Sequence, residues 1–95
     1  MKRVVVTGIG IVSCLGNSQK EVTESLINSK SGISFAEENK EHNLKSNVHG
    51  KPNIKLQDHV DRKALRFMGN GSAYNYIAMK EAIKDSGLKE SEVSN

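Results

Sequence analysis

The sequence is poor in cysteine, proline and aromatic residues. Among its 95 residues there are one Cys, one Pro and no Trp, and aromatic residues make up 4%. A single cysteine excludes a disulfide scaffold and a cysteine-rich zinc module, and it is typical of a reducing compartment. No apolar run approaches the roughly 20 residues that a membrane-spanning helix needs. Glycines at 8, 10 and 16 interrupt the first apolar stretch, which argues against a secretory signal peptide. We therefore expect a cytoplasmic chain.

Charge and size narrow the function classes further. Fourteen Lys and Arg against eleven Asp and Glu give a formal net charge of +3, far below that of a chain built to neutralise many phosphates. The hydrophobic fraction of 36% is low, but the apolar residues are clustered, which disordered chains do not show. A chain of this length forms one domain at most, so residues 1–95 are predicted to contain no second domain.

The amino terminus has the pattern of a buried strand followed by a turn. Arg3–Thr7 is a β-branched run without alternation, which is typical of a strand covered on both faces of a parallel sheet. The glycine-rich segment Gly8–Gly16 predicts a turn after it. A parallel sheet needs several strands, and only one convincing candidate is present. The sequence therefore indicates an incomplete α/β fold.

A helix is expected next. Ser18 and Glu21 have the spacing of a capping box, with Asn17 as the rival cap. Val22 and Leu26 lie one turn apart and predict its apolar face. The helix is expected to stop at the glycine in position 32.

The segment 33–57 is mostly polar and is predicted to be a long connection. Pro52 forbids a helix through its second half. Ile54 and Leu56 are compatible with a short edge strand. A connection of this length is usually functional or an insertion.

The clearest predicted element is one long helix over Asp61–Ser86. Asp58 and Asp61 are candidate caps, and Gly87 has the place of a left-handed stop. Gly69 and Gly71 weaken the middle by about 1 kcal/mol each relative to Ala, which suggests close packing there. The apolar stripe is predicted to comprise Leu65, Met68, Ser72, Tyr76, Met79 and Ile83, widened by Ala64, Ala78 and Ala82.

Several residue types that can carry chemistry point more strongly to structural roles. Gly8-Ile9-Gly10 after a strand has part of a dinucleotide-binding pattern, but Ser13 stands where the third glycine belongs. Cys14 has no histidine near it in sequence, so a small buried hydrophobe is favoured over a nucleophile. His42, His49 and His59 lack the close pairing of a zinc site. No cofactor or metal is expected.

Arg62, Lys63 and Arg66 are the most informative charges. Helical spacing places all three on one face, within the first turns of the predicted helix. The helix dipole disfavours cations there, by about 0.3–1 kcal/mol each, which suggests an external anionic partner. Neutralisation by Asp58 and Asp61 explains the same pattern, and the sequence leaves both interpretations open.

The sequence also resembles the amino terminus of the β-ketoacyl-acyl-carrier-protein synthases. The resemblance rests on residues 5–13, Gly16-Asn17 and Ser31-Gly32-Ile33, and it runs in register over the whole chain. Asp61-Arg62-Lys63 and Arg66-Phe67-Met68 look like the synthase I branch in particular. The resemblance implies the first part of a thiolase-like α/β fold: strand, glycine-rich turn, helix, long polar connection and long helix.

The same resemblance implies an acyltransferase that condenses malonyl and acyl thioesters in fatty-acid elongation and works as a homodimer. The family's catalytic cysteine and two histidines lie beyond residue 95, so the chain alone is expected to be inactive and to contain no catalytic residue. Arg62, Lys63 and Arg66 match the basic patch on which the family docks acyl carrier protein, with Lys45 a less secure fourth contact. The alternatives are a small basic non-enzymatic module that binds an acidic protein, and a nucleotide-binding βα unit.

Overall fold

The structure is a computed structural model that describes residues 2–93. It divides into two compact units, each described by itself. The first unit contains residues 2–12 and 55–93, and the second unit contains residues 13–54. In chain order the elements are α1 (Gln19–Ile27), β1 (Ile33–Phe35), α2 (Glu37–Glu41), β2 (Val48–Gly50), a 3₁₀ turn (Leu56–Asp58), α3 (Arg62–Leu65), α4 (Asn70–Ser86) and α5 (Glu90–Val93).

The predicted capping box at the start of α1 is present. The Ser18 hydroxyl accepts a hydrogen bond from the Glu21 N–H at 3.2 Å, so Ser18 is the cap. The Glu21 carboxylate reaches back and accepts from the Asn17 N–H at 2.8 Å. The first bond satisfies an N–H group that the helix start leaves without a partner, and the second holds the residue before the cap, one position earlier than in a standard capping box.

The end of α1 differs from the prediction. The chain leaves the helix at Ser29, which adopts a left-handed φ of 53°, and not at the glycine in position 32. The Ser29 N–H donates to the Leu26 carbonyl at 3.2 Å and the Lys30 N–H donates to the Ser25 carbonyl at 2.8 Å. This is the bond pattern of a Schellman motif, in which a serine here takes the usual place of glycine. Of the predicted apolar face of α1, Val22 is buried, whereas Leu26 is 64% exposed, so the prediction is wrong for Leu26.

The segment predicted to be a long polar connection contains a small antiparallel ribbon. Strands β1 and β2 pair with Ile33 opposite Gly50 and Phe35 opposite Val48. In sequence, helix α2 lies between the strands; His42 is its C-cap, and Asn43 after it is a second left-handed residue with a φ of 56°. The predicted edge strand at positions 54 and 56 is absent. Sequence periodicity could not reveal strands of three residues, because so short a run shows no alternation.

The predicted strand Arg3–Thr7 is not formed. The described chain gives this run no partner strand, and a strand requires a neighbouring ladder of hydrogen bonds. Val4, Val5 and Val6 are consequently exposed at 93%, 66% and 83%. The prediction of a strand buried on both faces is therefore wrong for the described residues 2–93.

Carboxylates of α4 bind the backbone that follows this run. The Ile9 N–H donates to the Asp85 carboxylate at 3.1 Å, and the Ile11 N–H donates to the Glu81 carboxylate at 3.2 Å. Residues four apart on a helix rise about 6 Å, and residues two apart along an extended chain rise about 6.6 Å. Because these two spacings nearly match, two carboxylates four residues apart on α4 can accept hydrogen bonds from two N–H groups that lie two residues apart on one side of the segment.

The glycines at 8 and 10 make this approach possible. A Cβ atom at Gly10 would overlap the Ala78 carbonyl oxygen, and one at Gly8 would overlap the Ala82 carbonyl and lie 2.7 Å from the Ser86 nitrogen. Any side chain at these positions would push the segment off α4. The glycines therefore serve close packing on a helix.

The predicted long helix is broken in two. Helix α3 ends at Leu65 and α4 begins at Asn70, after Gly69 with an extended backbone. Asp61 occupies the N-cap of α3 without a side-chain cap bond. Gly69 and Gly71 have no neighbour within 4 Å of a built Cβ, so the close packing predicted around them is wrong. Two glycines so close together lower helix propensity enough for the chain to start a new helix.

The carboxyl end of α4 confirms the predicted glycine stop. Gly87 has a φ of 74° and its N–H donates to the Lys84 carbonyl at 3.3 Å. The Ser86 hydroxyl donates to the Ile83 carbonyl at 2.6 Å and accepts from the Leu88 N–H at 3.2 Å. The hydroxyl thus bridges the two groups that a complete Schellman motif would join directly.

The buried face of α4 is rotated from the predicted stripe. Ala73 is 1% exposed, whereas Tyr76 and Met79 are 45% and 55% exposed. The backbone of residues 8–11 covers the side of α4 that carries Ala78 and Ala82. Small residues form the contact because a backbone approaching this closely leaves no room for large side chains.

We expect the 95-residue chain to unfold without a sharp transition. Val22, Ala36, Val60 and Ala73 are its buried apolar residues within positions 2–93. Apolar burial stabilises by about 25 cal/mol per Å², so a core of this size contributes little. Differential scanning calorimetry of the monomer should show a broad, low-enthalpy transition. A sharp two-state melt would contradict this expectation and would show a complete core.

We expect Gly10→Ala to release the amino-terminal segment from α4. The added Cβ meets the Ala78 carbonyl, so the amide protons of Ile9 and Ile11 should exchange at close to unprotected rates. Gly71→Ala is the matched control, because its Cβ meets nothing and should favour α4 by about 1 kcal/mol. Amide exchange measured by NMR distinguishes the variants. Unchanged protection in Gly10→Ala would refute the packing role.

Candidate partner-binding site

Three basic residues share the short stretch around α3. Arg62 and Lys63 are the first residues of α3, and Arg66 is its C-cap with helical angles of −61° and −26°. Residues four apart lie on one face, so Arg62 and Arg66 project from the same side of the turn. All three are exposed. The structure therefore brings together the basic residues that the sequence singled out at 62, 63 and 66.

The structure does not support neutralisation of these three cations by neighbouring carboxylates. Within residues 2–93, none of these three cations forms a salt bridge, although Asp58 and Asp61 are close in sequence. The helix-dipole argument also has to be corrected, because α3 has four residues and its cap Arg66 lies where cations are favoured. The cluster is an exposed set of charges with free guanidinium and ammonium groups.

The turn that carries the cluster is fixed by one buried valine. Val60 is 6% exposed, and its N–H donates to the Leu56 carbonyl at 2.9 Å, which ties the 3₁₀ turn to the start of α3. The Leu65 N–H donates to the Asp61 carbonyl at 3.0 Å. The backbone of the basic turn is therefore held by local hydrogen bonds while its side chains stay in solvent.

Phe67 is an apolar residue that the sequence prediction did not assign to the site. It follows Arg66 directly and is 91% exposed. A fully exposed phenylalanine within a basic cluster suits a partner that offers both acidic and apolar groups. The sequence signal that could have assigned Phe67 to the site was its position between Arg66 and Met68, outside the predicted apolar stripe of the helix.

Lys45 and the basic cluster belong to different units of the chain. It belongs to the second unit, two residues after the left-handed Asn43, and it is exposed. The basic residues at 62, 63 and 66 belong to the first unit. The structure supports the accessibility of Lys45 and leaves its grouping with the others a prediction.

Cys14 occupies a tight turn in the second unit. The Ser13 N–H donates to the Gly16 carbonyl at 2.9 Å and the reverse bond measures 3.3 Å. The half-buried sulfur lies close to Gly32 and Gly50, where built Cβ atoms would come within 2.7 and 2.9 Å of it. The two glycines make room for the thiol, in agreement with the packing role predicted for it.

A polar cavity of about 370 Å³ adjoins this turn. The buried Ser25 hydroxyl donates to the Leu15 carbonyl at 2.6 Å beside it. The Asn17 amide donates to the Asn53 carbonyl at 2.7 Å, while its buried Oδ1 has no hydrogen-bond partner. Cavity residues include Glu21, Glu24 and Lys30. The lining carries no nucleophile–base pair.

The remaining sequence candidates do not assemble into a site. His42 and His59 are exposed residues that end α2 and the 3₁₀ turn, and His49 lies in β2. Among residues 2–93, no group of three His, Cys, Asp or Glu side chains could hold a metal ion. No helix in that range is long and apolar enough to cross a membrane.

The dinucleotide-binding alternative also loses its basis. Such a motif places a glycine-rich turn at the start of a helix, whose N–H groups hold the phosphates. Here the segment at 8–10 faces the side of α4, and α1 begins only at Gln19. The glycines have no phosphate-binding geometry.

Comparison with known proteins gives a consistent result. The family model of the β-ketoacyl synthase N-terminal domain matches residues 1–95. The chain is 48% identical over 95 residues to the 3-oxoacyl-[acyl-carrier-protein] synthase 1 of Haemophilus influenzae, covering 100% of this chain and 23% of the relative. It is 51% identical over 92 residues to the protein of that name from Buchnera aphidicola (subsp. Schizaphis graminum), covering 94% and 22%. Against that of Escherichia coli K12 it is 43% identical over 95 residues, covering 100% and 23%. The chain thus spans less than a quarter of the length of these relatives.

Proposed function

The chain belongs to the β-ketoacyl synthase N-terminal domain family, and we propose that it is the amino-terminal part of a 3-oxoacyl-[acyl-carrier-protein] synthase of the synthase I branch. The complete protein would be an acyltransferase that condenses malonyl and acyl thioesters in fatty-acid elongation. In this proposal the described part of the chain supplies partner recognition and no catalytic residue.

The exposed basic cluster carries the proposal. Arg62, Lys63 and Arg66 point into solvent from a turn held by Val60, without salt bridges inside the described chain. Acyl carrier protein, which is part of the relatives' names, is the proposed partner. An acidic carrier would neutralise these charges, and Phe67 would add an apolar contact next to Arg66.

Exposed charges of this kind mainly affect how fast two partners meet and how the partner is oriented when it binds. Rim charges steer an oppositely charged partner and select its orientation, while contributing less to the final affinity. Attraction of this kind is screened over about 8 Å at physiological ionic strength. The cluster would therefore orient the carrier so that its thioester enters a catalytic centre supplied by the rest of the synthase.

Further properties of the complete protein follow from the same proposal. Lys45 would be an additional carrier contact. The synthase would be a cytoplasmic homodimer with a thiolase-like fold, and its reaction would need no cofactor or metal, because a thiolate nucleophile and hydrogen-bond donors suffice for thioester condensation.

A non-enzymatic role remains the second candidate for the chain alone. The basic cluster is accessible without any further polypeptide, so a module that binds an acidic protein would need nothing beyond these residues. Binding of acyl carrier protein to the 95-residue chain, measured without any condensation partner, would support that role. The synthase proposal requires the effect on turnover described next.

Reversing the charge of Lys63 and Arg66 to Glu in the complete synthase should weaken its use of carrier-bound substrates. We expect the KM for acyl carrier protein thioesters to rise by about tenfold or more, since like charges across an interface are unfavourable. Condensation of small pantetheine thioesters, which do not touch the cluster, should stay nearly unchanged. The wild-type KM should also rise with salt.

Lys89→Glu is the matched control, since Lys89 is an exposed cation between α4 and α5, away from the cluster in sequence. It should leave both substrates unaffected. Phe67→Ala should raise the carrier KM without loss of stability, because its side chain is 91% exposed. Equal losses with carrier and pantetheine substrates would assign the basic residues to folding or chemistry.

The isolated chain should form no acyl-enzyme at Cys14. The thiol is packed between Gly32 and Gly50 and lies outside any nucleophile–base pair of the described cavity. Intact-mass spectrometry after incubation with acyl carrier protein thioesters should show unmodified protein, with Cys14→Ser as the blank. A stoichiometric adduct that turns over would make Cys14 a nucleophile and would contradict the proposal.

A further inference from the structure

Asn70 and Gly71 form an Asn-Gly pair at the start of α4. No other asparagine of the sequence is followed by a glycine. Both residues are exposed, and α4 begins at Asn70 after Gly69, which supplies no side-chain cap. Asparagine is a thermolabile residue, and a following glycine leaves the next backbone nitrogen without a side chain beside it. The pair therefore combines a reactive carboxamide with an accessible nitrogen.

The Gly71 nitrogen is not engaged by the helix that it belongs to. The hydrogen bonds of α4 begin with the Ala73 N–H, which donates to the Gly69 carbonyl at 3.1 Å. The N–H groups before Ala73 belong to the first turn, where a helix supplies no acceptor. A Cβ atom at Gly71 would meet nothing within 4 Å. Neither a helical hydrogen bond nor a neighbouring group therefore shields this nitrogen.

The Asn70 carboxamide is free to approach that nitrogen. Among residues 2–93, no hydrogen bond or ring contact holds the Asn70 side chain. The Asn70 Cγ and the Gly71 nitrogen belong to adjacent residues, so a bond between them closes a five-membered ring. The rotation that this requires occurs at a helix end, because helix ends fray.

We propose that Asn70 is a site of spontaneous deamidation through a succinimide. The Gly71 nitrogen loses its proton and forms a bond to the Asn70 Cγ, and the carboxamide nitrogen leaves with that proton as ammonia. Water then opens the ring at either of its two carbonyls. One opening gives aspartate, and the other gives isoaspartate, in which the main chain runs through the side-chain carboxyl. The net reaction consumes water, releases ammonia and involves no oxidation or reduction.

Local hydrogen bonds engage the corresponding nitrogen after other asparagines. Asn28 is exposed at the end of α1, but the Ser29 N–H that follows it donates to the Leu26 carbonyl at 3.2 Å. Asn75 lies inside α4, where the next N–H belongs to the regular helical ladder. A nitrogen in such a bond must lose its acceptor before it can attack a carboxamide. The structure therefore favours Asn70 over these asparagines.

The two products change the start of α4 in opposite ways. The first turn of α4 contains no acidic residue. An aspartate at position 70 places a negative charge there, which the helix dipole favours. An isoaspartate lengthens the main chain by one carbon, which disrupts the first turn. This modification is a property of the 95-residue chain and goes beyond the proposed synthase role, which it neither requires nor tests.

Peptide mapping by mass spectrometry of the 95-residue chain, kept in mildly alkaline buffer, tests the site and its chemistry. Asn70 should react before every other asparagine and should give a mixture of aspartate and isoaspartate, which enzymatic carboxyl methylation distinguishes. Gly71→Ala should slow the reaction by about tenfold, which corresponds to about 1.4 kcal/mol in the barrier. The Cβ atom of the new alanine meets nothing in the structure, so the variant should keep the fold of α4.

Ser29→Gly is the matched control, because it creates a second exposed Asn-Gly pair at Asn28. Ser29 has a φ of 53°, which glycine adopts without strain, and its N–H is hydrogen bonded. In native buffer Asn28 of this variant should react more slowly than Asn70, and in denaturant the two rates should become similar. Earlier reaction at Asn28 than at Asn70, equal rates for the two pairs in native buffer, an unchanged rate in Gly71→Ala, or aspartate without isoaspartate would each overturn the proposal.

Discussion

Residues 8–11 lie directly against the small-residue face of α4, and the first unit is organised by this contact. Gly8 and Gly10 remove the side chains that would separate the two backbones, while Asp85 and Glu81 accept the N–H groups of Ile9 and Ile11. The contact consists of close backbone packing and hydrogen bonds to side chains. It stands in place of the backbone hydrogen bonds that a β-branched segment usually makes with a neighbouring strand. The contact also fixes the rotation of α4 about its own axis, because the alanine-bearing side of the helix must face the glycines.

The same contact explains why the valines before it are exposed. A helix can offer carboxylate oxygens to one edge of a neighbouring segment, but it has no free backbone groups in mid-helix with which to continue a ladder. Val4–Val6 therefore extend past the helix contact with their apolar side chains in solvent.

The basic turn at 62–66 shows how a functional surface can be locally fixed and still accessible. One buried valine at position 60 and short backbone bonds hold the turn, so the cations need no salt bridges to define their positions. Their charge remains available to an outside partner. The exposed Phe67 gives the surface an apolar element that charge analysis alone would not find, because neighbouring sequence positions do not reveal exposure.

The sequence alone determined the features that depend on neighbouring residues: the Ser18 cap, the glycine stop at 87, the clustered cations and the family resemblance. Capping and left-handed stops involve bonds over three to five residues, so their residue types predict them. The break between α3 and α4 follows from the local effect of Gly69 and Gly71 on helix propensity. The tertiary structure decided which side of α4 is covered. It also decided that the valine run stays unpaired. These outcomes depend on contacts between residues some 70 positions apart, which periodicity cannot register.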